Sequence, residues 1–126
     1  MLEINYHAGW IAILIGLAVG TVLGLHFHKE DWLGGYASWR RRMIRLGHIS
    51  FFGTGLLNLA FVFSVEHLRL RTLPSVPSIA FLVGAAAMPT ICFLSAWRDW
   101  FRHLFFIPVV SLLLATAELI FRGLIR

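Results

Sequence analysis

Six histidines are the residues of this chain with the clearest capacity for chemistry, in a sequence of 126 residues that is 59% hydrophobic. A neutral imidazole can ligate a metal or a haem iron, and its charge changes close to neutral pH. Histidines also serve as plain polar anchors at the ends of apolar helices. One histidine alone therefore indicates little, and the positions of the six relative to one another decide how they are interpreted.

His48 has the most informative surroundings of the six. If its segment is helical, one face combines polar and small residues with aromatic and aliphatic ones: His48, Phe51, Phe52, Gly55, Asn58, Leu59 and Val62. Polar groups that face lipid are costly, so this face should point toward neighbouring helices. We therefore expect the His48 side chain to lie inside a helical bundle.

Two further histidines are expected at the depth of His48. The first segment has a ridge of glycines, Gly16, Gly20 and Gly24, which we expect to pack within the bundle or against another subunit. His28 continues the edge of this ridge. His103 begins a set of residues along one face of the last apolar segment: Ile107, Ser111, Leu114 and Glu118. Two inward imidazoles on different helices at one depth are the ligand set of a bis-histidine b-type haem, and four-helix bundles commonly hold such groups. The sequence therefore predicts a haem b site, with His48, His103 and His28 as candidate iron ligands.

Two other features favour a cofactor next to His48. Gly55 lies two helical turns beyond the histidine, and its missing side chain would leave space for a porphyrin. Arg45 and the arginines at 40–42 precede the histidine and are expected to pair with the haem propionates. We therefore include Gly55 and Arg45 among the cofactor-binding candidates.

Glu118 and Asn58 are candidates of a different kind. A carboxylate in the last turns of a membrane helix suggests a functional site, such as quinone or proton handling. The simpler interpretation, which we favour, is an ion pair between Glu118 and Arg122 one turn later. Asn58 belongs to the same question because it is a polar residue in the middle of an apolar segment.

Composition places the chain in a membrane. Only 13% of its residues are charged and its mean hydropathy is +0.80, whereas soluble domains carry about 25% charged residues. Basic residues occur in short clusters between apolar runs, which argues against nucleic-acid binding.

Cys92 is the only cysteine, which excludes a four-cysteine zinc site and a CxxC redox pair. No catalytic motif of a soluble enzyme is present, and whether the chain is an enzyme stays open.

Four apolar segments are long enough to cross a bilayer as helices: residues 6–27, 43–65, 78–97 and 101–121. The predicted fold is therefore an all-α, four-transmembrane-helix bundle in a single domain, residues 1–126.

Residues 1–5 lack the positive charge of a signal peptide, so the first segment should be retained. The first and third connections, together with the segment ends beside them, carry seven Lys and Arg, against four on the other side. The positive-inside rule then places both termini on the outer, periplasmic side, and we expect a bacterial inner membrane.

Three functions fit this pattern. The first is a small subunit of a respiratory or photosynthetic electron-transfer complex, with haem b and quinone as its expected small-molecule partners. The second is a cofactor-free structural subunit, and the third is a small oligomeric transporter. Expected partners in all three cases are membrane lipids and either other membrane subunits or further copies of the chain.

Overall fold

The apolar segments form four α-helices in the computed structural model, which describes residues 1–70 and 75–125. The helices are α1 (Leu2–His26), α2 (Trp39–His67), α3 (Ser75–Trp97) and α4 (Phe106–Leu124). Two short 3₁₀ helices, Trp32–Gly34 and Asp99–Leu104, precede α2 and α4. No strand occurs within the described ranges, and four helical stretches are long and apolar enough to cross a membrane. The prediction of an all-helical chain with four such stretches is confirmed.

Helix α2 begins at Trp39, ahead of its predicted start at residue 43. Ser38 is the residue before the helix, and its hydroxyl oxygen accepts the backbone N–H of Arg41 at 3.2 Å. Serine is a preferred helix N-cap because it satisfies one of the unpaired N–H groups of the first turn. The arginine cluster at 40–42 is therefore helical, although hydropathy alone assigned it to a loop.

The fourth helix begins later than predicted. Residues 99–104 form the second 3₁₀ helix, and α4 starts at Phe106, whereas a helix over 101–121 was expected. Pro108 explains the difference, because a proline ring clashes with the carbonyl four residues earlier in an α-helix. Proline is tolerated in the first turn of a helix, and Pro108 lies there. His103 consequently precedes α4 instead of heading a stripe on it.

Helices α2 and α3 form the central pair, with α1 packed mainly on α2 and α4 mainly on α3. The α2–α3 pair is antiparallel, since the indole N–H of Trp39 at the start of α2 donates to the Ser95 carbonyl near the end of α3 at 2.8 Å. The main core cluster combines residues of α2, α3 and α4: Phe61, Val62, Val65, Phe81 and Ala115. The outer helices α1 and α4 have only 17% and 11% of their apolar windows buried, so most of their apolar surface is exposed on the described chain.

Glycines bring α1 and α2 close together. A β-carbon placed on Gly55 would lie 2.9 Å from the Gly9 carbonyl oxygen, and one placed on Gly16 would lie 2.9 Å from the Phe52 ring. Gly20 faces His48 in the same way, whereas nothing lies within 4 Å of a β-carbon on Gly24. Within the described chain, the packing role expected for the glycine ridge is therefore seen at Gly16 and Gly20, and Gly24 makes no such contact.

Candidate ligand site at His48

His48 lies on α2 and is half-buried against α1. A β-carbon on Gly20 would come within 2.5 Å of its Nε2 atom, so the imidazole occupies the space that this glycine leaves free. The Phe52 ring meets the imidazole edge-on, with 5.4 Å between centroids and 87° between planes. The prediction that His48 faces another helix is correct, and the helix that it faces is α1.

Neither ring nitrogen of His48 makes a hydrogen bond to any described residue. His26, which is also half-buried, differs: its Nδ1 lies 2.8 Å from the Val22 carbonyl and its ring stacks on Trp32. An imidazole without a partner in an apolar segment is costly, because the lost hydration is not replaced. His48 therefore has hydrogen-bonding or ligating capacity that the described chain leaves unused.

Open space lies next to this imidazole. Gly24 is on the same face of α1 as Gly20, one turn nearer the end of the helix, and its surroundings are empty to 4 Å. A group that approaches His48 from outside the α1–α2 pair would meet no side chain at Gly24. Gly24 is itself exposed, so no other part of the described chain covers this side of α1.

His48 makes no hydrogen bond or ring contact with either of the other two predicted iron ligands in the structure. His28 is exposed beyond the end of α1, and His103 is exposed on the second 3₁₀ helix, where its nearest ring contact is Trp100. That 3₁₀ helix packs against α3, whereas His48 faces α1. Within residues 1–70 and 75–125 there is no group of three or more His, Cys, Asp or Glu placed to hold a metal ion.

The space expected at Gly55 is filled by protein. A β-carbon there would meet the Gly9 carbonyl oxygen at 2.9 Å, Ile13 at 3.1 Å and Ala12 at 3.3 Å, all of them on α1. The glycine thus serves close packing of two helices, and the prediction that it leaves room for a porphyrin inside the bundle is wrong.

Arg45 has a partner other than the expected propionate. Its guanidinium carbon lies 3.9 Å from the centroid of the Tyr36 ring, and its Nη2 donates to the Tyr36 carbonyl at 3.3 Å. Stacking of this kind orients the side chain toward the connection between α1 and α2. The pairing of Arg45 with a propionate therefore stays a prediction, and the structure shows the side chain engaged elsewhere.

Arg41 is buried and closes the end of α1. Its guanidinium donates to the carbonyls of Phe27, Lys29 and Glu30 at 3.0, 3.3 and 3.2 Å, and it lies over the Phe27 ring. A cation is favourable at a helix C-terminus, where carbonyls lack partners and the helix dipole is negative. This arginine positions the connection that leads to His48, a role that its place in a cluster of basic residues did not indicate.

Asn58 belongs to a buried polar network. Asn5 donates to Asn58 Oδ1 at 2.8 Å and to the Ser78 carbonyl at 3.0 Å, and the Ser78 hydroxyl donates to Asn5 Oδ1. Asn58 donates in turn to the carbonyls of Thr54 and Phe81. The network joins α1, α2 and α3, so the inward position of Asn58 is correct. Its amide is fully engaged in holding helices together.

Asn5 and Ser78 were missed at the sequence level. Asn5 lies one turn before Gly9, on the face of α1 that continues through Gly16 and Gly20. The expected first segment began at residue 6, so Asn5 was left outside it. A helix extended to its start at Leu2 would have placed this amide on the inward face.

Glu118 forms the ion pair that we favoured. Its Oε1 accepts from Nε and Nη2 of Arg122 at 2.8 and 2.6 Å. The stripe expected on α4 is wrong, because Ile107 and Leu114 are exposed and the inward positions are others: Pro108, Leu112, Ala115 and Leu119. The inward face is set by the apolar contacts with α2 and α3, and Glu118 lies at its edge.

We expect Glu118→Gln to change the free energy of unfolding by less than about 0.5 kcal/mol, because half-exposed i,i+4 ion pairs contribute only that much. Reversible unfolding in mixed micelles, followed by far-UV circular dichroism, measures the change. Arg122→Gln should give a similarly small value. A loss above about 1.5 kcal/mol in the glutamate variant alone would assign Glu118 a role beyond this pair.

Comparisons of the chain with protein-family models, with curated proteins and with solved structures give no match.

Proposed function

We propose that the chain is a small integral membrane subunit of a larger electron-transfer complex, and that His48 is its ligand-binding residue. The observation that supports the proposal is the half-buried imidazole beside Gly20, whose nitrogens have no hydrogen-bond partner among the described residues. An imidazole without a hydrogen-bond partner destabilises an apolar helix, and binding of a ligand from outside the chain would offset this loss of stability.

Haem b is the cofactor that suits this imidazole. Histidine is a common axial ligand of haem iron, and an apolar helical surface accommodates the porphyrin. Because α1 fills the space at Gly55, the haem would lie on the open side of the α1–α2 contact, near Gly24. The second axial ligand would then come from His28, beyond the end of α1, or from another subunit. A site completed by another subunit would also explain why α1 has so little buried surface.

The absorption spectrum tests the haem directly. We expect protein purified in mild detergent from a haem-replete host to show a Soret band and, on reduction, a sharpened α band. His48→Ala should abolish both bands, because it removes the ligand while leaving the contacts of Gly9 and Gly16 with α2 in place. His28→Ala tests the second ligand: loss of the low-spin spectrum with retention of haem would assign that role to His28.

His67→Ala is the matched control, since His67 is exposed near the other end of α2. This variant should keep the full spectrum. Far-UV circular dichroism and gel filtration establish that His48→Ala is folded. Wild-type protein that is folded, supplied with haem and colourless would overturn the haem site.

A cofactor-free structural subunit is the second candidate. The close approach of Gly9 to Gly55 and the Asn5–Asn58–Ser78 network favour it, because both serve helix association alone. Both candidates require a partner complex, and migration of the chain with a large assembly on a native gel would support that requirement. Flux into proteoliposomes containing only this chain would instead indicate the transporter.

The proposed topology follows from charge. The end of the helices that carries the connections 27–38 and 98–105, termed here the Arg-rich end, would face the cytoplasm, with both termini outside. Its surplus of Lys and Arg over the opposite end supports this orientation. The site at His48 would then lie near the cytoplasmic surface of a bacterial inner membrane.

A further inference from the structure

A small apolar cavity opens at the Arg-rich end, on the α3 side of α2. Its volume is about 240 Å³, and its walls come from the first connection, α2 and the end of α3: Leu33, Arg40, Ile44, Phe93, Ala96 and Trp97. We call it the Arg40 slot. Apart from the arginine, its lining is aliphatic and aromatic, so the body of any occupant must be apolar.

The slot is formed by specific contacts. Trp39 fixes the start of α2 to the end of α3 through its hydrogen bond to the Ser95 carbonyl. Gly47 lets Phe93 approach α2, since a β-carbon there would lie 3.0 Å from the Phe93 ring. Leu33 adopts a left-handed backbone conformation, with φ of 56°, which a non-glycine residue takes up at a cost. These features hold the slot's walls in place.

Positive charge lies at the mouth of the slot. Arg40 is exposed and makes no hydrogen bond or ion pair with any described residue. The Arg98 guanidinium lies 5.3 Å from the centroid of the Trp97 ring, which forms one wall. The Arg-rich end as a whole carries seven Lys and Arg against three Asp and Glu. An occupant with an anionic head would therefore be attracted to this mouth.

The size of the slot distinguishes between apolar occupants. One turn of a partner helix, about 10 Å across with its side chains and about 5.4 Å long, occupies more volume than the 240 Å³ of the slot, whereas part of a single acyl chain fits within it. A free inorganic anion would make no favourable contacts with the apolar walls of the slot. An amphiphile with one negatively charged head group and an acyl chain would match both the apolar walls of the slot and the positive charge at its mouth.

We propose that the Arg40 slot binds one anionic phospholipid, with its phosphate at Arg40 and Arg98 and an acyl chain between Ile44, Phe93 and Trp97. Charge-assisted hydrogen bonds from guanidinium groups to phosphate are among the strongest available at a membrane surface. The inference rests on the membrane location in the proposed function and is independent of haem at His48.

Native mass spectrometry of the detergent-solubilised chain tests the proposal by counting bound lipids. We expect one phosphatidylglycerol to remain bound under conditions that remove phosphatidylcholine. Arg40→Gln and Arg98→Gln should each weaken phosphatidylglycerol binding about fivefold, and the double variant by more than tenfold. Ile44→Trp, which fills the slot and keeps the charges, should also reduce lipid retention.

Arg102→Gln is the matched control, since Arg102 is exposed at the same end but neither lines the slot nor, unlike Arg98, stacks on the Trp97 ring. It should leave phosphatidylglycerol binding unchanged. Equal retention of the two lipids, or an equal loss in the control, would overturn the proposal. Competition by millimolar inorganic phosphate would instead show a plain anion site. The number of bound lipids is measured independently of haem absorption. A protein without haem absorption that binds phosphatidylglycerol would therefore refute the haem site and leave the lipid site supported.

Discussion

Replacing Gly55 with alanine is expected to lower the free energy of unfolding by about 2 kcal/mol, because overpacking a close contact costs about 1–3 kcal/mol. The added methyl group would lie 2.9 Å from the Gly9 carbonyl oxygen, a backbone atom that cannot rotate away. Helices α1 and α2 would have to separate along their crossing, which would weaken the contacts of Gly16 and Gly20 as well. Reversible unfolding in mixed micelles measures the loss.

Gly53→Ala is the matched control for this experiment. Gly53 lies on the same helix, two residues from Gly55, and nothing lies within 4 Å of a β-carbon placed on it. Alanine is the better helix former, so Gly53→Ala should raise the stability by about 0.5 kcal/mol. The two substitutions thus have opposite expected signs. If Gly55→Ala proved as harmless as Gly53→Ala, the close contact between α1 and α2 would be absent in the membrane.

The four helices could be predicted from the sequence because a long apolar segment with few charges has a strong compositional signal. Their ends could not, since they depend on single groups that hydropathy averages away. Ser38 starts α2 through one side-chain hydrogen bond, and Pro108 prevents α4 from starting earlier. A change of a few residues at a helix end determines whether Asn5 or His103 belongs to a helix face.

The candidate site was predicted in part. The inward face of α2 was correctly assigned, because Gly55 and Asn58 are buried and His48 is half-buried against α1. What this face contacts could not be derived, since the sequence does not specify which helix packs there. Gly55 therefore suggested empty space, although a glycine in a membrane helix equally indicates that another backbone approaches closely.

Arginine roles were the least predictable part of the site. A cluster of four arginines at 40–42 and 45 suggested one shared function, yet the structure separates them. Arg41 is buried against three carbonyls at the end of α1, Arg45 stacks on Tyr36, and Arg40 is exposed at the mouth of the slot. At 100° per residue neighbouring side chains point in different directions, so a run of like residues on a helix seldom acts together.

The largest loss of stability is expected for Asn58→Ala, at about 2–3 kcal/mol. The substitution removes two hydrogen bonds to groups on other helices, from Asn5 and to the Phe81 carbonyl, and leaves a small cavity. Hydrogen bonds between membrane helices contribute about 0.6–1.7 kcal/mol each, and the cavity adds to their loss. Thr54→Val is the matched control, because buried Thr54 bonds only within α2; it should cost less than about 0.5 kcal/mol.

A double-mutant cycle shows whether the network acts as a unit. Asn5→Ala should cost about 2 kcal/mol alone, but the double variant should lose about 1 kcal/mol less than the two single losses combined, because they share one bond. Additive losses would mean that the two amides act separately. The cycle also bears on function: a spectrum at His48 that survives these variants would place haem binding outside the network, whereas one lost with them would make ligand binding depend on the association of α1 with α2.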